Sequence, residues 1–130
     1  MYNIKLDVAS AMEYLHSLVP AIIHRDLKTL NVLIAPNGAA KICDFGLVKN
    51  PNIAAGTPAY MAPELFQNKS YNKSVDVYSF GIMFWEMLCE QVPFYMVEIA
   101  DIRDRVLAGS RPRIPASIPS RCARLITDCW

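Results

Sequence analysis

Within the eight residues His24-Arg25-Asp26-Leu27-Lys28-Thr29-Leu30-Asn31 a carboxylate, an ammonium and a carboxamide follow one another at short spacing. Apolar sequence flanks them, Ala21 to Ile23 before and Val32 to Ala35 after, so the polar groups lie on a segment held at both ends. This layout suits phosphoryl transfer, where a protein has little covalent chemistry to do and works by positioning groups and neutralising charge. Asp26 can accept the proton of an attacking hydroxyl, Lys28 can meet the phosphate, and Asn31 can offer an oxygen to Mg²⁺. Alone, Asp26 or Lys28 would more often be a surface charge; the grouping carries the reading.

The elements that must position these groups can be read outward from them. Pro36-Asn37-Gly38 is a turn signal between the short apolar runs Val32-Leu33-Ile34-Ala35 and Ala40-Lys41-Ile42-Cys43, which predicts a hairpin. A two-residue turn at Asn37-Gly38 sets Asn31 opposite Asp44, about 4.5–5.5 Å apart at Cα, so that both could ligate one cation. Upstream, Ile4, Val8, Ala11, Met12, Leu15 and Leu18 recur at helical spacing. That helix should end near His16 to Val19, because Pro20 disfavours helix in the residue before it. Ala21-Ile22-Ile23 then reads as a short extended piece.

Downstream, Pro63 suits the first turn of a short helix. Ser74 could cap a longer one whose run from Val75 to Leu88 is apolar nearly all round and therefore buried. Asp76 is the exception in that run, and a buried carboxylate must accept hydrogen bonds. A further helix is predicted from about Val97 to Ala108, with Ile99, Ile102 and Val106 on one face and Gly109 as its stop. A Pro-rich connector, Arg111 to Pro119, leads to a last helical segment from Ser120 through Cys122, Leu125, Ile126 and Cys129. The fold class is α+β, mainly α, with one small β-hairpin beside the polar cluster.

Composition narrows the setting. The chain has 130 residues, 53% hydrophobic and 19% charged, enough for one domain with a moderate core. Its net charge of +1 gives no call for a nucleic acid or an anionic membrane as partner. Six of the seven arginines fall between Arg103 and Arg124, interleaved with Asp101 and Asp104, which reads first as a solvated face and second as a surface for protein docking. Cys43, Cys89, Cys122 and Cys129 form no C-x-x-C pair, and free thiols fit a reducing compartment. No secretory signal is seen, and the longest apolar stretch, Val77 to Trp85, is too short to span a bilayer, which places the chain in the cytoplasm.

Residues 24–31 resemble the catalytic loop of eukaryotic protein kinases, H-R-D-L-x-x-x-N; Asp44-Phe45-Gly46 matches D-F-G, and Ala62-Pro63-Glu64 matches A-P-E. The likeness covers essentially all 130 residues and implies the large, C-terminal lobe of a kinase that transfers the γ-phosphoryl group of ATP to protein hydroxyls, with Mg²⁺. In such a lobe Asp26 orients and deprotonates the acceptor, Lys28 stabilises the phosphoryl group, Asn31 and Asp44 hold Mg²⁺, and Leu33 lies under the adenine. Thr57 is implied to bond toward Asp26 and Lys28, His24 and Phe45 to join a packed spine, Gly46 to complete the motif, and Asp76 to brace the catalytic-loop backbone.

Lys28 two places after Asp26, with Gly56-Thr57-Pro58-Ala59-Tyr60-Met61, resembles the Ser/Thr type. Asp76 to Gly81, with Leu30 before Asn31, is similar to the tyrosine-kinase-like group that includes mixed-lineage and Raf-type enzymes.

Departures from the family pattern set further expectations. Nothing before residue 24 resembles the Gly-rich loop or strand lysine, so residues 1–130 read as a partial domain without the nucleotide-binding lobe or the final helices, and alone are expected to be inactive. Glu64 would pair with an arginine beyond Trp130. Leu47 to Gly56 contains no Ser, Thr or Tyr, so Arg25 has no loop phosphate to meet and no switching by activation-loop phosphorylation is expected. Cys43 reads as a small buried residue, or alternatively as a thiol reachable from the nucleotide site. Two other readings stand beside the enzyme: a non-catalytic kinase-lobe module that binds protein partners, and a truncated inactive gene product.

Overall fold

The computed structural model describes residues 2–44 and 56–130. Helix α1, Tyr2–Ser17, buries Val8, Met12 and Leu15 along one face, as their spacing of four and three residues requires. Beyond Ser17 the chain doubles back, and the Ile22 N–H donates to the Leu15 carbonyl at 3.0 Å. Residues 21–23 carry no regular secondary structure, and the backbone bond of Ile22 runs to α1.

One 3-10 turn, Thr29–Asn31, leads into strands β1, Val32–Ile34, and β2, Ala40–Ile42, which pair antiparallel. The register sets Val32 opposite Ile42 and Ile34 opposite Ala40, which corrects the two-residue turn expected at Asn37-Gly38. The loop has three residues: Gly38 N–H donates to the Ala35 carbonyl and Ala35 N–H to the Ala39 carbonyl, both at 2.8 Å. Pro36 takes the corner that suits its fixed φ, and only Gly38, at φ 84°, is left-handed, whereas the two-residue turn would need Asn37 left-handed as well. Pairing therefore slips by one. Asn31 faces Cys43, whose N–H donates to the Asn31 carbonyl at 2.9 Å, and Asp44 falls one step beyond. Asp7 of α1 secures the hairpin by accepting the Ala40 N–H at 2.9 Å.

A 3-10 turn at Pro58–Tyr60 precedes α2, Pro63–Phe66, where Pro63 fills the first position. Helix α3, Ser74–Cys89, is the centre of the molecule, burying Val75, Tyr78, Ile82, Met83, Phe84 and Trp85. Ser74 is its first helical residue and not its cap; the Asn72 side chain takes the Ser74 N–H at 2.8 Å. Helix α4, Ile99–Leu107, buries Ile102 and Val106, but Ile99 is 71% exposed. Side chains of a first turn point back past the helix N-terminus, so the helical period there need not meet a packing partner. Gly109, at φ 94°, ends α4, with Ser110 N–H donating to the Arg105 carbonyl at 2.9 Å.

Helix α5, Ser120–Cys129, crosses α3 at Gly81, where a methyl group would meet the Cys129 Cβ at 2.6 Å. No helix among the described residues is long and apolar enough to cross a membrane.

Candidate active site

The fixed point is Asp76, 1% exposed near the start of α3. Its Oδ2 accepts the His24 N–H at 2.9 Å and the His16 Nε2 at 2.7 Å, and its Oδ1 accepts the Arg25 N–H at 2.9 Å. A buried carboxylate thus holds the backbone on which Asp26 is displayed. Arg25 adopts φ 72°, a left-handed geometry that is uncommon for a long side chain and that these two bonds fix. Its guanidinium stacks 4.5 Å from the Tyr71 ring centroid.

His24, itself buried, uses both ring nitrogens. Nδ1 accepts the Asp26 N–H at 3.1 Å, so Nε2 carries the proton and donates to the Cys43 carbonyl at 2.9 Å. Asn31 is buried below Asp26, its Nδ2 donating to the Asp26 carbonyl at 2.7 Å and lying 3.5 Å from Asp26 Oδ2. With the nitrogen so engaged, Oδ1 is the atom Asn31 has left for a ligand. Asp44 follows Cys43 at φ 58°, its Oδ2 3.9 Å from the Cys43 sulfur. Cys43 is half-buried.

Three groups converge in front. Lys28 Nζ donates to Thr57 Oγ1 at 2.7 Å, and Thr57 Oγ1 donates onward to Asp26 Oδ1 at 3.0 Å. The Thr57 N–H reaches the same Oδ1 at 3.1 Å, while Asp26 Oδ2 stands 3.7 Å from Lys28 Nζ. Residues 26, 28 and 31, joined by the distant Thr57, form one cluster with a single hydroxyl relaying between the ammonium and the carboxylate. Leu33 lies outside it, 56% exposed on the hairpin. Glu64 meets the Ser74 hydroxyl at 3.4 Å. Phe45, Gly46 and the loop from Leu47 to residue 55 lie outside the described residues.

Two positioning residues escaped the sequence reading. Ser79 donates to the Tyr60 carbonyl at 2.7 Å, and Glu86 Oε2 accepts both the Thr29 hydroxyl at 2.9 Å and the Tyr60 hydroxyl at 2.5 Å. Burial, with Glu86 beside it, pushes the Tyr60 phenol well above its ordinary value. Ser79 and Glu86 lie three and ten places after Asp76, on the same helical face, and that spacing was the available signal.

The sequence profile of the protein kinase domain matches residues 1–130. The chain is 43% identical over 134 residues to a probable LIM domain-containing serine/threonine-protein kinase of Dictyostelium discoideum, covering 98% of this chain and 14% of that protein. It is 42% identical over 135 residues to the dual specificity protein kinase shkC of the same organism, covering 95% of this chain and 27% of that one. To the serine/threonine-protein kinase CTR1 of Arabidopsis thaliana the identity is 39% over 132 residues, covering 95% of this chain and 16% of that one. The chain therefore spans a minor part of the curated relatives it matches. A match along its whole length, and close likeness to kinases of an amoeba and a plant, agree with the geometry around Asp26: the chain belongs to the protein kinase domain family.

Proposed function

We propose that this chain is the large-lobe part of a cytoplasmic serine/threonine-protein kinase of the tyrosine-kinase-like group, transferring the γ-phosphoryl group of ATP to Ser or Thr hydroxyls of protein substrates. The observation that carries the reading is the Lys28–Thr57–Asp26 relay, which orients a carboxylate and an ammonium toward one point. Asp26 Oδ1 is taken by Thr57, so Oδ2 is the oxygen that receives the acceptor's proton. The acceptor oxygen then bonds to the γ-phosphorus as the bond to the β–γ bridging oxygen breaks, and ADP leaves. Lys28 holds positive charge beside the transferring group, and the Thr57 hydroxyl bridges Lys28 and Asp26 Oδ1 while Lys28 also pairs with Asp26 Oδ2 at 3.7 Å.

The donor set fits Mg²⁺: the free carboxamide oxygen of Asn31 and the carboxylate of Asp44 are hard oxygen ligands. When bound, the ion neutralises charge on the phosphate oxygens. Ser/Thr acceptors are favoured by Lys28 and by the Thr57-containing loop, and the tyrosine-kinase-like assignment by Leu30 with Asp76 to Gly81 and by the likeness to CTR1.

The test uses the full-length protein with radiolabelled ATP, Mg²⁺ and a library of Ser-, Thr- and Tyr-containing peptides. Transfer to Ser and Thr peptides, lost on the order of 10³-fold or more in Asp26→Asn with ATP binding retained, is expected. A full-length protein that folds and binds partners but transfers nothing would refute the enzyme and leave a docking module.

A further inference from the structure

The sequence clusters arginines between residues 103 and 124, and the active site uses none of them. Three of these, Arg105, Arg111 and Arg113, line an open cavity of about 370 Å³ with Trp85, Phe94 and Tyr95. No residue of the active-site cluster lines it, and neither does any carboxylate. Among the described residues no carboxylate side chain pairs with Arg105, Arg111 or Arg113; the Arg111 Nε donates instead to the Trp130 carbonyl at 3.4 Å.

The hollow is held in shape. Arg111 Nη1 donates to the Val106 and Ser110 carbonyls at 3.2 and 2.8 Å, and its guanidinium sits 5.1 Å from the Tyr78 ring centroid. The Trp85 indole N–H donates to the Arg113 carbonyl at 2.9 Å and fixes the connector on α3. Of the lining residues in the chain between α3 and α4, Tyr95 is 73% exposed and Val92 is also in solvent, and the next residue after Tyr95, Met96, is 85% exposed. Phe94 and Met96 are both left-handed, at φ 55° and 62°, a conformation that bulky residues rarely adopt. A strained loop thus presents apolar side chains beside a preformed cationic hollow, where a solvated charged face would be expected to be polar throughout.

We propose that this hollow is a docking site for an acidic segment of a protein partner, its carboxylates meeting Arg105 and Arg113 beside the backbone-anchored Arg111 and an apolar side chain packing on Tyr95. Guanidinium forks pair with carboxylates in planar geometry, and an aromatic floor favours a peptide that brings apolar surface with its charge. A nucleic acid fits less well. The chain as a whole is near neutral at +1, and its charge here is confined to a pocket with an apolar rim instead of following a stripe.

The probe is a fluorescein-labelled peptide of glutamates with one central leucine, titrated with the full-length protein and followed by anisotropy. Its counterpart with every glutamate replaced by glutamine is the control, and this comparison needs no variant. The acidic peptide should bind at least tenfold more tightly, weaken as salt is raised, and lose about tenfold or more in the surface double variant Arg105→Glu, Arg113→Glu. Equal binding of the two peptides, or undiminished binding to a folded double variant, would overturn the proposal. So would a random DNA duplex that outcompetes the peptide and shows the same loss, which would make the hollow a nucleic-acid contact.

Discussion

Replacing Asp76 by asparagine changes one atom and very little volume, so its cost isolates the hydrogen bonding of the His24–Arg25 backbone. The carboxylate accepts three bonds, from His24 N–H, Arg25 N–H and His16 Nε2, at 1% exposure. An asparagine has one acceptor oxygen, so whichever way its amide is turned, an NH₂ group faces a buried backbone N–H. That leaves one donor unsatisfied at about 1–3 kcal/mol, and the remaining bonds fall from charge-assisted to neutral at about 1 kcal/mol each. The sum is about 3–5 kcal/mol, a fifth or more of a typical domain's stability of about 5–15 kcal/mol. Urea unfolding should show the midpoint falling with an unchanged m-value, and amide exchange should accelerate at His24 and Arg25. A loss under about 1 kcal/mol, or unchanged protection of those two amides, would refute the claim that Asp76 holds the loop.

Three further outcomes follow from the packing around α3. Gly81→Ala should destabilise by about 1–3 kcal/mol, because its methyl would meet the backbone-anchored Cys129 Cβ at 2.6 Å and neither atom can rotate away; a variant as stable as the parent would contradict the close crossing of α3 and α5. Tyr78→Phe should stabilise by about 1 kcal/mol in thermal unfolding near neutral pH, because the Tyr78 hydroxyl is buried without a hydrogen-bond partner. Burial also pushes that phenol up to about 12 from 10.0, so its contribution is complete below pH 10 and is lost as pH rises toward 12, and the variant should lose that share of the alkaline slope. Glu86→Gln keeps an acceptor for Thr29 and Tyr60 but removes the charge, so alkaline absorbance titration should show the Tyr60 phenol moving down toward its ordinary value, with burial still holding it above.

Much of the helical frame was legible because burial imposes periodicity. Val8, Met12 and Leu15 on α1, and the near-continuous apolar run of α3, announce themselves in the residue order. The need of Asp76 for donors followed from charge in an apolar helix. What stayed hidden depended on one-residue geometry or on partners distant in sequence. Pro36-Asn37-Gly38 permits two turn lengths that differ by one in register, and only the observed hydrogen bonds separate Asn31–Asp44 from Asn31–Cys43 pairing. Ile99 keeps the period of Ile102 and Val106 yet lies at a helix end, where period no longer implies a neighbour. Glu86 reads as an ordinary acidic residue until Thr29 and Tyr60, from two other segments, fold onto it.

The imidazole of His24 accepts from Asp26 at one nitrogen and donates to the carbonyl of Cys43, next to Asp44, at the other. One rigid ring, with no rotatable bond between its two contacts, therefore acts as a fixed-length strut between the segments bearing the two carboxylates. A ligand that pulls on Asp44 has to carry Asp26 with it or break a bond at the strut. The segments bearing Asp26 and Asp44, to which the proposed function gives proton acceptance and ion binding, are thereby mechanically one body, whose relative position is set by the fold.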